Sequence, residues 1–192
     1  MQHLINNSNT LAVVVLERSP NGNWAANKEI KAPYALASLF SYTSIVAHPT
    51  CQLQLPATRL TKGCYTHMFD NSKIELAPVL PATTMARSCY EGMFSCCNVL
   101  TQAPALPAKL LPKRCYSFMF SGCKKLNNVK CMGTAMTGNF ALGSWLETAG
   151  TDESVTTRTL THAAGTPWTV SDEYARGTTD RFVSTGWTLV SM

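Results

Sequence analysis

The stretch Leu80-Pro-Ala-Thr-Thr-Met-Ala-Arg-Ser-Cys-Tyr-Glu-Gly-Met-Phe94 decides how the chain is read, because it recurs. Leu55-Pro56-Ala57 leads to Cys64-Tyr65-Thr66-His67-Met68-Phe69, and Leu106-Pro107-Ala108 leads to Cys115-Tyr116-Ser117-Phe118-Met119-Phe120. The Met-Phe pairs recur after 25 and then 26 residues. A degenerate earlier copy shows at Leu39-Phe40, with Ala47-His48-Pro49 where later copies have Ala77-Pro78 and Ala103-Pro104. A period of this size announces stacked repeats, each burying a face against the next.

Within a repeat, Cys and Met are four apart, and so are Tyr and Phe. That spacing predicts a short helical turn with Cys64 over Met68 and Tyr65 over Phe69 on one face. Stacking would turn these positions into ladders through a core. Each Leu-Pro removes a backbone donor, so it belongs at a strand end or bend. Ile74-Glu-Leu-Ala77 and Val99-Leu-Thr-Gln-Ala103 are short enough to be the single strand of a repeat. Parallel strands would then stack at about 4.8 Å per repeat.

Outward from the repeats, residues 1–30 read as an N-terminal cap. Thr10-Leu-Ala-Val-Val-Val-Leu16 is rich in strand formers, and Ser19-Pro20-Asn21-Gly22-Asn23 is a turn cluster. Residues 31–146 hold the repeats, with decayed units at both ends. Residues 147–192 read as a β-rich C-terminal cap, with strands at Ser154–His162, Trp168–Val170 and Gly186–Val190. Trp145, Trp168 and Trp187 are placed to close the open end of the core.

The motif resembles the leucine-rich repeats of the bacterial surface-antigen (BspA-like) type. The best copy is Ala77-Pro-Val-Leu-Pro-Ala-Thr-Thr-Met-Ala-Arg-Ser-Cys-Tyr-Glu-Gly-Met-Phe-Ser-Cys-Cys97, and the resemblance spans roughly residues 32–190. The ending Ser184-Thr-Gly-Trp-Thr-Leu-Val190 is similar to the way such arrays close. Only three copies are good, and the N-terminal region matches no pattern of the family. Repeats and resemblance together predict an α+β repeat solenoid: short leucine-rich-repeat-like coils with a parallel strand ladder, capped by β structure at each end. The resemblance implies binding rather than catalysis, as in adhesins, host-protein binders and phage tail appendages of gut anaerobes and their phages.

Composition narrows the classes further. Only 14% of residues are charged, below the usual quarter, which suits an extracellular or virion protein better than a cytosolic enzyme. The N-terminus Met1-Gln2-His3-Leu4 lacks the basic start and long apolar segment of a signal peptide. A bacterial cell surface or a phage virion is therefore the expected location. The longest apolar run, Leu11–Leu16, is far short of a membrane span.

Charge is uneven. Residues 51–131 carry ten basic and three acidic residues, giving +7, whereas residues 132–192 carry three basic and six acidic, giving −3. Lys62, Arg87 and Lys113 each lie two residues before the repeated Cys, with Arg59 and Arg114 close by. Stacking would align them as a basic stripe suited to an anionic ligand; the alternative is a solvated edge that keeps the protein soluble. No aromatic residues interleave with these positions, so nucleic acid is the less suited anion.

Eight cysteines admit disulfides, and Cys89/Cys97 and Cys115/Cys123 share an offset of eight. Cys64, however, meets Ser72 at that offset, so reduced, buried thiols acting as small hydrophobes are expected. Cys96-Cys97 lacks zinc-finger spacing. His3, His48, His67 and His162 are scattered, and no nucleophile elbow, H-E-x-x-H or glycine-rich phosphate loop is present. The expected function is a non-enzymatic adhesion module without cofactor, recognising a surface glycan or protein. The alternative is a structural virion or surface protein whose partners are copies of itself or neighbouring subunits.

Overall fold

The computed structural model describes the backbone of residues 16–18 and 24–26, and residues 29–45, 53–170 and 181–192 in full. Its organising unit is a nine-residue ribbon of consecutive turns, seen at 34–42, 63–71, 88–96, 114–122 and 140–148. In every ribbon the first, fifth and ninth residues have φ near +50 to +75°. Twelve of these fifteen left-handed residues are not glycine, at a cost of about 1 kcal/mol or more each.

The hydrogen bonds explain why this conformation holds. Within a ribbon, alternate N–H groups donate three residues back, as in Met68 N–H to Tyr65 O (3.2 Å) and Asp70 N–H to His67 O (3.2 Å). The intervening N–H groups donate to the next ribbon: Tyr65 to Cys89 O (3.0 Å), His67 to Glu91 O (2.8 Å), Phe69 to Met93 O (2.9 Å). Twenty such bonds join the five ribbons in sequence order. An α-helix spends its interior N–H groups inside itself and could not make them.

The expected α+β repeat solenoid is therefore corrected. Among the described residues there is no helix, and β structure is confined to isolated parallel pairings and strands of two to five residues in four small sheets. The four-residue spacing of Cys with Met and Tyr with Phe does place all four side chains on the buried face, as a helical turn would. It does so because the turn ribbon also repeats every four residues. Period alone could not separate the two, and the left-handed residues decide between them.

Facing inward, the ribbons build the core. Phe40, Phe69, Phe94 and Phe120 stack at ring spacings of 5.5, 5.4 and 5.7 Å, and Tyr65, Tyr90 and Tyr116 at 5.6 and 6.1 Å. These rings lie within the range for favourable offset stacking. Cys64, Cys89 and Cys115 and Met68, Met93 and Met119 are fully buried beside them. Each repeated Leu-Pro-Ala buries its Leu and Ala, while residues around it pair in parallel, as in Gln54 with Val79 and Leu106 with Cys131.

In chain order the strands are β1 (Leu16–Arg18), β2 (Trp24–Ala26), β3 (Leu110–Leu111), β4 (Asn128–Cys131), β5 (Ala135–Met136), β6 (Arg158–His162), β7 (Thr169–Val170), β8 (Phe182–Val183) and β9 (Trp187–Ser191). β1 and β2 pair antiparallel. The rest of the expected N-terminal strand and its turn, together with His3, Ala47-His48-Pro49 and Cys51, lies outside the described residues. β4, β6 and β9 form a parallel sheet with Val129, Leu160 and Leu189 in register. β3 pairs with β5, and β7 with β8, both parallel. Strands thus occur within all three stretches expected in the C-terminal region. Trp145 and Trp187 are buried; Trp145 stands 5.7 Å from Trp168 and donates to Phe182 O (3.1 Å).

Phe94→Ala removes the middle of the four-ring ladder and should cost about 3–5 kcal/mol, the usual loss for a buried aromatic. Urea denaturation monitored by tryptophan fluorescence measures it. A loss below about 1 kcal/mol would contradict a closed ladder.

Candidate functional site

The residue preceding each ribbon is where the basic stripe forms. Tyr34 N–H donates to Lys62 O (2.9 Å), Gly63 N–H to Arg87 O (3.0 Å) and Ser88 N–H to Lys113 O (3.0 Å). These bonds put Lys62, Arg87 and Lys113 at equivalent places in successive repeats, and all three are exposed. The same bonding pattern continues the row to neutral residues at both ends, Pro33 before Lys62 and Asn139 after Lys113. Among the described residues neither Arg87 nor Lys113 has an acidic partner. The Lys62 ammonium sits 5.4 Å from the centroid of the Tyr34 ring, a geometry that favours a cation over a π face.

Arg59 and Arg114 take other roles. Arg59 Nε lies 3.9 Å from Glu29 Oε1, in a column that pairs Glu29, Arg59 and Thr84. Arg114 is the left-handed first residue of its ribbon; its Nη1 donates to Glu91 Oε1 at 3.3 Å and its guanidinium lies 5.8 Å from the Phe140 ring. Of the five basic residues singled out in the sequence, three form an open row and two are neutralised by carboxylates. Tyr34 and Phe140 flank the row and escaped sequence reading. They occupy the same ribbon position as Gly63, Ser88 and Arg114, but share no motif with them.

Two rings pack closely on glycines of the next ribbon. A Cβ on Gly63 would run into the Tyr34 ring, and one on Gly92 (φ +60°) into the His67 ring. His67 Nδ1 lies 3.6 Å from an Asp70 carboxylate oxygen. His162 is buried, with Nδ1 3.0 Å from Ala163 O and 3.1 Å from Thr166 Oγ1. Among the described residues no group of three or more His, Cys, Asp or Glu is placed to hold a metal ion.

The seven described cysteines are free, and all but Cys96 are buried. Cys97 and Cys123 stand in one column with Thr43 and Ser72. Their thiols donate to Phe69 O (3.1 Å) and Phe94 O (3.0 Å) of the preceding ribbon, whereas the Thr43 hydroxyl donates to Phe40 O (2.6 Å) of its own. Burial pushes the Cys64 thiol up to about 12 and those of Cys97 and Cys131 to about 11; Cys89, Cys115 and Cys123 move the same way for the same reason. Thiols held protonated in this way are poor nucleophiles.

No family model matches the chain, and neither a curated protein nor a solved structure matches it.

Two outcomes are expected. Folded-state thiol pKa values lie above the ordinary 9.0, so the stability they contribute is complete below pH 9 and is lost as pH rises toward 11–12. Under reducing conditions the urea midpoint should hold between pH 7 and 8 and fall by pH 10; a flat profile to pH 10 would contradict buried thiols. Second, repeats stack with ring spacings of 5.4–6.1 Å, and two exposed like charges about 5 Å apart repel by about 1 kcal/mol in water. Arg87→Gln should therefore stabilise the fold by up to about 1 kcal/mol at low salt and by nothing at high salt. Destabilisation would reveal a partner for Arg87.

Proposed function

We propose that this chain is a non-enzymatic recognition module that binds an anionic surface ligand along the row Lys62, Arg87, Lys113. The observation that carries this reading is the row itself: three exposed cations in backbone-enforced register, two of them without an acidic partner among the described residues. Mutual repulsion disfavours such a row in the free protein, and an apposed anion relieves it. The nearby Arg59 and Arg114 are paired with carboxylates, whereas among the described residues the row is not. The resemblance to BspA-like repeats supports the same class of function, in an adhesin or a phage receptor-binding part at a bacterial surface or on a virion. Thiols unsuited to nucleophilic chemistry agree with binding rather than catalysis.

A second reading is a structural subunit. Among the described strands, β9 is the outer one of its sheet, and Val190 and Met192 are exposed on and beside it. Such an edge is open to strand addition by another copy or a neighbouring subunit.

The test is binding of the purified protein to whole bacterial cells and a panel of surface glycans, beside the triple variant Lys62→Glu, Arg87→Glu, Lys113→Glu. Binding should weaken with salt and fall at least about tenfold in the variant, three exposed pairs at up to ~1 kcal/mol each. A folded protein that binds nothing and sediments as an oligomer would favour the structural reading.

A further inference from the structure

Going beyond the recognition reading, we propose that two copies of this chain join edge to edge through β9, antiparallel about a two-fold axis, so that their β4-β6-β9 sheets become one. β9 runs Trp187–Ser191 and, among the described residues, pairs only with β6. Met192 shows which groups that pairing uses. Its N–H donates to His162 O (3.0 Å), and its C=O accepts from Ala164 N–H (2.7 Å). Along a paired strand, successive residues turn their N–H and C=O groups to opposite edges. Thr188 and Val190 therefore bond toward β6, as Met192 does. Trp187, Leu189 and Ser191 present their N–H and C=O groups on the outer edge.

An edge of this kind recruits another strand unless a charge, a proline or a bulge blunts it. Trp187-Thr-Leu-Val-Ser-Met192 has no charge and no proline, and its register with β6 runs without a bulge. Val190 and Met192 are exposed. The edge also fits itself. With the two-fold axis at Leu189, that residue faces its own counterpart, Trp187 faces Ser191 of the second copy, and Ser191 faces Trp187. The free groups of one copy thus meet the free groups of the other, each pair exchanging both its bonds, and the contact closes as a dimer. On the outer face Thr188 lies opposite Val190 of the second copy, so no like charges meet. On the inner face Leu189, half-buried in a single copy, packs on Leu189. Ser191 comes beside Trp187, whose buried indole N–H has no acceptor among the described residues. An extended segment of an unrelated protein could use the same edge, but nothing guarantees it these matches.

One strand pair buries little area, so the dimer should be weak and the measured mass should rise with concentration. Analytical ultracentrifugation of the full chain over a wide concentration range reads this. Thr188→Lys with Val190→Lys sets like charges opposite each other across the two-fold, at exposed positions, and should raise the dimer dissociation constant at least about tenfold. Thr188→Glu with Val190→Lys sets opposite charges there and should restore the wild-type constant or lower it. Ser191→Pro removes an outer-edge N–H from each copy where an edge strand tolerates proline, and should raise the constant about fivefold or more. Circular dichroism checks that each variant is folded. A monomer at every concentration would overturn the proposal. So would a dimer whose dissociation constant is the same in both charge variants, because the contact would then lie elsewhere or in another register. Binding of cells and glycans by the row is read separately, so either reading can fail while the other stands.

Discussion

The structure depends on one division of labour among backbone N–H groups. Alternate donors in each ribbon close turns within it, and the donors between them reach the next ribbon. The chain can alternate in this way only if every fourth residue takes a left-handed conformation, which turns the intervening N–H groups sideways. Twelve non-glycine residues accept that conformation. Their local cost is offset by the inter-ribbon bonds and the side-chain ladders that those bonds align. Left-handed residues scattered through a loop would be strain without return; repeated in register, each one helps to align all the others.

Register then governs everything facing either way. Inward, it stacks Phe on Phe and Tyr on Tyr, and it lines up the thiols of Cys97 and Cys123 so that each serves a carbonyl of the preceding ribbon. A hydroxyl stands in the same column at Thr43, where it donates to Phe40 O of its own ribbon, and Ser72 Oγ lies 3.6 Å from the Cys97 thiol; each residue of the column offers one donor of similar size. Outward, the same register leaves Lys62, Arg87 and Lys113 in a line that their own repulsion would otherwise spread. The interaction that builds the core thus also creates the feature on which the proposed function rests.

Much of this was legible in the residues themselves. The buried face was readable from Cys64/Met68 and Tyr65/Phe69, and the basic row from three cations each two residues before a repeated Cys. The choice of a helix was not, because a four-residue spacing fits both a helical face and a turn ribbon. Sequence carries no direct mark of φ except at glycine, and only Gly63, Gly92 and Gly122 mark left-handed ribbon positions. The fates of Arg59 and Arg114 were equally hidden. Their carboxylates, Glu29 and Glu91, belong to other repeats, and nothing in the local pattern says which face those residues share.

By itself, the sequence determined that the chain repeats, how long the repeat is, which side chains form the core and which cations recur beside it. These follow from identity and period, which are one-dimensional properties. Tertiary structure decided that the repeats are turn ribbons rather than helical coils, which arginines are neutralised and which cations stay open. Those outcomes depend on which N–H group finds which carbonyl, and on which acid lies within reach of which base, across some 25 residues of chain. Only the stacking of one repeat on the next settles such pairings.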